Sequence, residues 1–220
     1  AHRADGAFEH IVQPKLVYIS NPTELGTLYT RCELEALSET CHKLGLYLFL
    51  DGARLGYGLS ATGNDVTMAD LARLCDAFYI GGTKVGLLFG EAVVVTNPKL
   101  LRNLFPLVKQ HGALLAKGRL LGLQFGVLFR DGLYERIGEK AVEHAITIRE
   151  SFRKAGYEVV IESPTNQQFV RLPNEVIDRL RQDMSFDYWG SRGAKESIVR
   201  FVTSWATSDK DIERLKELVG

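Results

Sequence analysis

The chain has 220 residues, 45% of them hydrophobic, enough to bury one large core or two modest ones. Its 27 Lys and Arg balance 27 Asp and Glu, and this formal net charge of zero argues against nucleic acid or an anionic membrane surface as the main partner. A charge interrupts every apolar run before membrane-spanning length and the opening residues carry no signal-peptide pattern. Cys32, Cys41 and Cys75 lack metal-ligand spacing, so they read as reduced, buried thiols of a cytoplasmic protein with no metal centre.

Residues 1–14 (AHRADGAFEHIVQP) have neither the period of a helix nor that of a strand. Lys15–Ile19 reads as a buried strand that turns at Ser20-Asn21-Pro22. Thr30 and Glu33 form a capping box; Leu34, Leu37, Cys41 and Leu44 follow at helical spacing, and Gly45 stops the helix. Leu46–Leu50 is a strand ending in Asp51, so strand, helix and strand make the βαβ unit of a parallel sheet. After a polar, glycine-rich insert at 57–70, Thr67 and Asp70 cap a short helix ending near Leu74. The strand Ala77–Ile80 then delivers Gly81, Gly82, Thr83 and Lys84, and Ala92–Val95 is the next strand.

Asn97 and Pro98 start a helix that Pro106 breaks or kinks. Residues 111–125 read as one apolar helix rich in small residues and carrying Lys117 and Arg119. A charged amphipathic helix is predicted over 139–155, with Gly156 as its stop. Strands follow at Tyr157–Ile161, Gln168–Leu172, about 184–186 and Ser197–Val202. A helix begins after Pro173, and Ser208–Asp211 caps a last helix, Ile212–Leu218. The expected architecture is α/β, with residues 1–135 belonging to a large, mostly parallel domain and residues 136–220 forming a smaller α+β domain.

Polar residues at the carboxyl ends of parallel strands face ligands, so Asp51 and Lys84 can share one pocket. An acid and a lysine so placed match what pyridoxal phosphate requires. The amine bonds the cofactor aldehyde, while the carboxylate keeps the pyridine nitrogen protonated so that the ring can take up electrons. Glycines before the lysine let the backbone approach, and Thr83 can offer its hydroxyl to the phosphate. Because Lys84 lies between apolar strands, burial is expected to lower its amine pKa. A nucleotide P-loop is excluded, since Thr83 precedes Lys84, and no dinucleotide fingerprint follows a strand. Arg200, inside a β-branched run, calls for an anion, and its planar fork fits either a substrate carboxylate or a structural salt bridge.

Asp51-Gly52-Ala53-Arg54-Leu55, paired with Gly81-Gly82-Thr83-Lys84, resembles the threonine aldolase and β-eliminating lyase family of fold type I pyridoxal enzymes, from about Lys15 to the C-terminus. The resemblance implies that the chain is the C-terminal part of a longer enzyme whose phosphate loop lies upstream. It implies cofactor contacts from Asp51, Arg54, Thr83 and Lys84, with Arg54 near the phenolic oxygen. Arg200 would take the α-carboxylate of the substrate, bordered by Asn166, and the loop holding Thr23 and Glu24 would lie over the site or form a plain turn. Lys117 and Arg119 would reach the phosphate of a neighbouring subunit in a homodimer or homotetramer, or else snorkel from a packed helix. The activity implied is aldol cleavage of threonine or allo-threonine to glycine and acetaldehyde, with β-elimination and transamination as alternatives.

Overall fold

The computed structural model describes residue 6 and residues 8–220; the other residues of the aperiodic opening segment, 1–5 and 7, lie outside the described residues. A first sheet has the order β1-β2-β3-β4. Strands β1 (Leu16–Ser20), β2 (Tyr47–Asp51) and β3 (Ala77–Gly81) run parallel, whereas β4 (Glu91–Val95) returns antiparallel along β3. The β1–β2 register sets Ser20 beside Asp51, so the acid stands at the carboxyl end of its strand.

Alternation decides which face is buried. Leu48 and Leu50 of β2 are fully buried with Phe78 of β3, while Phe49 stacks on Tyr18 (5.5 Å between ring centroids) on the opposite, more open face. Each fully buried apolar side chain of this size contributes about 1.5–3 kcal/mol. The crossover helix α1 (Arg31–Lys43) buries Leu34 and Cys41 against this face, and its capping box is complete. Glu33 N–H donates to Thr30 Oγ1 (3.2 Å) and Thr30 N–H to Glu33 Oε2 (2.8 Å). A second capping box, Thr67 with Asp70, starts α3 (Met68–Leu74).

The second sheet is antiparallel with order β5-β6-β8-β7: Glu158–Ile161, Gln167–Pro173, Glu196–Val202 and Asp187–Tyr188. The long helix α6 (Leu133–Lys154) serves both cores. Tyr134, Ala141 and Val142 join the first cluster, and Ile148 and Phe152 join the second. The final helix α8 (Asp209–Val219) closes the second core with Ile212, Leu215 and Val219.

The structure corrects several expectations. The glycine-rich start of the 57–70 insert belongs to a helix, α2 (Leu55–Leu59), despite poor intrinsic propensity. Packing overrides propensity there: a Cβ on Gly56 would stand 3.0 Å from the Tyr134 ring and one on Gly58 2.8 Å from the Pro22 ring, so only glycine allows these contacts. The Asn97–Pro98 turn is a 3-10 segment, and the chain breaks at Asn103 (φ 66°) ahead of Pro106. Pro106 therefore sits in the first turn of α4 (Leu104–Gln110), where its missing N–H is not needed. Residues 111–118 do not continue a helix; α5 is Arg119–Leu128. The predicted 139–155 helix starts six residues earlier, at Leu133, and the strand expected at 184–186 lies at 187–188. Cys41 and Cys75 are buried, but Cys32 is exposed.

Candidate active site

The carboxyl ends of β2 and β3 hold the acid and the lysine. Asp51 Oδ1 accepts the Ala53 N–H at 2.9 Å, and Oδ2 accepts the Tyr18 hydroxyl. Burial pushes the Asp51 carboxyl up, but the Tyr18 and Tyr79 hydroxyls, the Ala53 N–H and the charge of Lys84 outweigh it and hold the group below the usual carboxylate range. The hydrogen bond to Asp51 raises the Tyr18 phenol, and burial followed by Asp51 raises that of Tyr79, so both remain donors. These two tyrosines escaped the sequence reading. The signal was present, since both strands continue the side of β2 that carries Phe49 and Asp51.

Lys84 leaves β3 in a short 3-10 turn, Thr83–Val85, whose Val85 is buried and whose Lys84 carbonyl accepts the Tyr57 hydroxyl. Contrary to expectation, Lys84 is not enclosed between strands; its outer side is exposed. Its amine still titrates below the ordinary lysine value, because partial burial and the nearby Arg54 charge prevail over Glu24, Asp51 and Glu91.

Lys84 stands between two cavities. One, about 390 Å³, is lined by Lys84, Arg54, Tyr57, Asn166, Asp187 and Arg200 together with Val202–Trp205. The other, about 460 Å³, is lined by Lys84, Thr83, Ala53, Tyr79, Glu91 and Val93. Four of the residues singled out in the sequence, Lys84, Arg54, Asn166 and Arg200, thus share one cavity. Thr83 meets Lys84 in the other, and Asp51 adjoins that second cavity through Ala53 and Tyr79, which hydrogen-bond to it.

Cations dominate the first cavity, and its two arginines are held by acids. Arg54 Nη1 donates to Glu24 Oε1 at 2.9 Å, and Arg200 Nη1 reaches Glu24 Oε2 at 3.5 Å, so one carboxylate bridges the two arginines. Arg200 also donates from Nη1 to Gln167 Oε1 (3.1 Å) and from Nη2 to Asp187 Oδ2 (2.7 Å), and it lies 5.3 Å over the Trp189 ring. Asn166 donates to the Thr203 carbonyl at 2.7 Å, while its buried Oδ1 has no partner among the described residues. Sequence reasoning missed Asp187, because a two-residue edge strand has no periodicity to mark it.

Four predicted residues line neither cavity: Asp51, which was expected to share a pocket with Lys84 but whose oxygens are taken by the Tyr18 hydroxyl and the Ala53 N–H, and Thr23, Lys117 and Arg119. Thr23 closes its own turn, with Oγ1 2.7 Å from Thr27 Oγ1 and accepting the Leu25 and Thr27 N–H groups. Lys117 and Arg119 are exposed, before and at the start of α5.

With this geometry in hand, the sequence matches the β-eliminating lyase family over residues 1–175. The chain belongs to that family. Within the β-eliminating lyase family it is 32% identical over 212 residues to a low specificity L-threonine aldolase of Pseudomonas aeruginosa, covering 95% of this chain and 59% of the relative. A solved threonine aldolase of Leishmania major superposes with a TM-score of 0.93 at 46% identity, covering 96% of this chain and 62% of that one. The chain therefore spans about three fifths of the length of these relatives. A Thermus thermophilus aspartate aminotransferase variant solved with tryptophan has a TM-score of 0.66 at 14% identity, over 93% of this chain and 56% of the other, and shows the fold alone. That fold is the fold type I architecture of pyridoxal-phosphate enzymes.

Proposed function

We propose that the protein of which this chain is part is a pyridoxal-phosphate-dependent lyase that cleaves threonine or allo-threonine to glycine and acetaldehyde. One observation carries the reading: an amine with a lowered pKa and a carboxylate held ionised stand at neighbouring strand ends, beside a cavity lined by two arginines. The threonine aldolase relatives support the choice of reaction.

The residues present fit the cofactor. Asp51 accepts hydrogen bonds and stays anionic, as a partner for a pyridinium nitrogen must, and Lys84 opens onto the 460 Å³ cavity beside Thr83. Lys84, Asp51, Thr83 and Arg54 would hold pyridoxal phosphate, which when bound supplies an electron sink for the pair released at the substrate Cα. Lys84, neutral more readily than an ordinary lysine, would hold the cofactor aldehyde and, once free of it, would be available to move a proton. Arg54 and Arg200 fix the substrate carboxylate, which leaves the Cα substituents to be oriented by the remaining wall of the cavity. The same residues serve β-elimination, and the family match keeps this as the second reading.

The supporting organisation is also proposed. Residues 1–135 form part of the cofactor domain and 136–220 the small domain; two hydrophobic clusters support a two-part organisation, with Ala141 and Val142 of α6 packing on the first and Ile148 and Phe152 on the second. A homodimer or homotetramer is supported by the exposed Leu88, Phe105, Leu120, Leu123 and Val127, large apolar side chains near the segment that bears Lys117 and Arg119. In such an assembly those two cations would serve the neighbour's phosphate site. No helix among the described residues is long and apolar enough to cross a membrane, and the free thiols support a cytoplasmic location.

Borohydride reduction of the intact, cofactor-supplied protein tests the reading. A pyridoxyl mass increase mapped to Lys84, with glycine and acetaldehyde released from threonine, is the expected result. An adduct on no lysine, or turnover that persists in Lys84→Ala, removes it.

A further inference from the structure

Arg200 has no free terminal amino group. Nη1 is taken by the Gln167 amide oxygen at 3.1 Å and Glu24 at 3.5 Å, and Nη2 by Asp187 at 2.7 Å. A carboxylate that grips one edge of the guanidinium with two parallel bonds needs both donors of that edge, so it competes with the partner already there. Gln167 is fully buried and tied by its own amide to the Thr23 carbonyl at 3.4 Å, so it stays. Glu24 does not line the cavity and is anchored to Arg54 at 2.9 Å. Asp187 does line it, its side chain is 62% exposed, and it sits on the two-residue edge strand β7 directly opposite Arg200 in register.

The unsatisfied chemistry points the same way. Arg200 Nε is buried and has no hydrogen-bond partner among the described residues. Nε and Nη2 share one edge of the guanidinium, the edge that a carboxylate spans with two parallel bonds. Asp187 uses only the Nη2 half of that edge. An incoming carboxylate that took both positions would satisfy a donor that Asp187 leaves orphaned, and an orphaned buried donor is costly.

We propose that Asp187 is an exchangeable internal carboxylate that occupies Arg200 until the substrate carboxylate displaces it. The inference rests on the proposed role of Arg200 as the carboxylate anchor. Asp187 acts through Arg200 as a positioning residue: it keeps the guanidinium aimed at the cavity and its charge balanced, and the ligand must compete with it. The affinity of a ligand for a site already filled part of the time is reduced by that fraction.

The test is acetate binding to the intact cofactor-loaded protein, followed by the fluorescence of the chain's two tryptophans. Trp189 lies under Arg200 and Trp205 lines the cavity. Asp187→Asn should bind acetate about two- to fivefold more tightly than wild type, the factor that a solvent-side ion pair carries. Its KM for threonine should fall by a similar factor, more than any change in kcat. Asp187→Ala, on the same exposed edge strand, is the second variant and should behave alike. Unchanged or weaker acetate binding in both variants, with binding lost in Arg200→Lys, overturns the exchange and leaves Arg200 as the anchor. Acetate binding that survives in Arg200→Lys overturns the anchor itself, and the exchange with it.

Discussion

Gly81 donates its backbone N–H to the Gly52 carbonyl at 2.8 Å, and neither position has room for a side chain. A Cβ on Gly81 would lie 2.2 Å from the Ala53 carbonyl oxygen, and one on Gly52 would lie 2.0 Å from that of Tyr79. The two glycines bring the segment after Asp51 against the end of the strand that leads to Lys84. Gly81→Ala must therefore separate the two backbones, and overpacking of this kind costs about 1–3 kcal/mol. We expect a lower urea midpoint and a larger Kd for pyridoxal phosphate in the same variant. A variant with wild-type values for both would show that the close approach is not needed.

Arg54 and Glu24 pull the Lys84 amine in opposite directions, the arginine lowering its pKa and the glutamate raising it. Arg54→Gln should move the amine back toward the ordinary lysine value, leaving less of it neutral at a fixed pH, whereas Glu24→Gln should move it further down. The check is reductive methylation of Lys84 at pH 8, read by peptide mass against surface lysines. Labelling should slow in Arg54→Gln and quicken in Glu24→Gln. Equal rates in both variants would dismiss the electrostatic explanation.

The paired motifs around Asp51 and Lys84 and the βαβ unit were legible because each rests on local signals: alternation, capping boxes and glycines at strand ends. The helix α2 was not, because Gly56 and Gly58 argue against a helix until Tyr134 and Pro22, distant in sequence, are known to press on them. Lys84 was expected to be enclosed because its neighbours in sequence are apolar. The 3-10 turn instead rotates Val85 inward and leaves Lys84 between two cavities. The partners of Arg200 were invisible for the same reason as α2: Glu24, Gln167 and Asp187 reach it from three separate segments.

Phe152 locks the long helix α6 into the second core. It is fully buried, 4.9 Å from Phe201 and 6.0 Å from Tyr157 between ring centroids. Phe152→Ala leaves a cavity that these rings cannot close, and substitutions of this type cost about 3–5 kcal/mol. Because β8 carries both Phe201 and Arg200, the loss should also loosen carboxylate binding. Chemical denaturation and acetate titration of the variant together check this. A loss of stability with unaltered binding would separate the second core from the site.

Asp76 ties the first sheet to its flanking segments. Its carboxylate accepts from Leu48 N–H (2.8 Å), Asn97 Nδ2 (2.5 Å) and His42 Nε2 (3.1 Å). Burial pushes the carboxyl up, yet these donors and the charge on His42 outweigh it, so the folded pKa lies below the usual carboxylate value. A group depressed in the folded state stabilises fully above its unfolded pKa, about 3.9, and loses that contribution as pH falls through the folded value. Asp76→Asn keeps the size of the side chain but removes the charge. The difference in unfolding free energy between wild type and variant should be present in full at about pH 5 and shrink below about pH 4. A difference that stays the same down to pH 3 would mean that the buried network is held by shape and neutral hydrogen bonds, with no net contribution from the carboxylate charge.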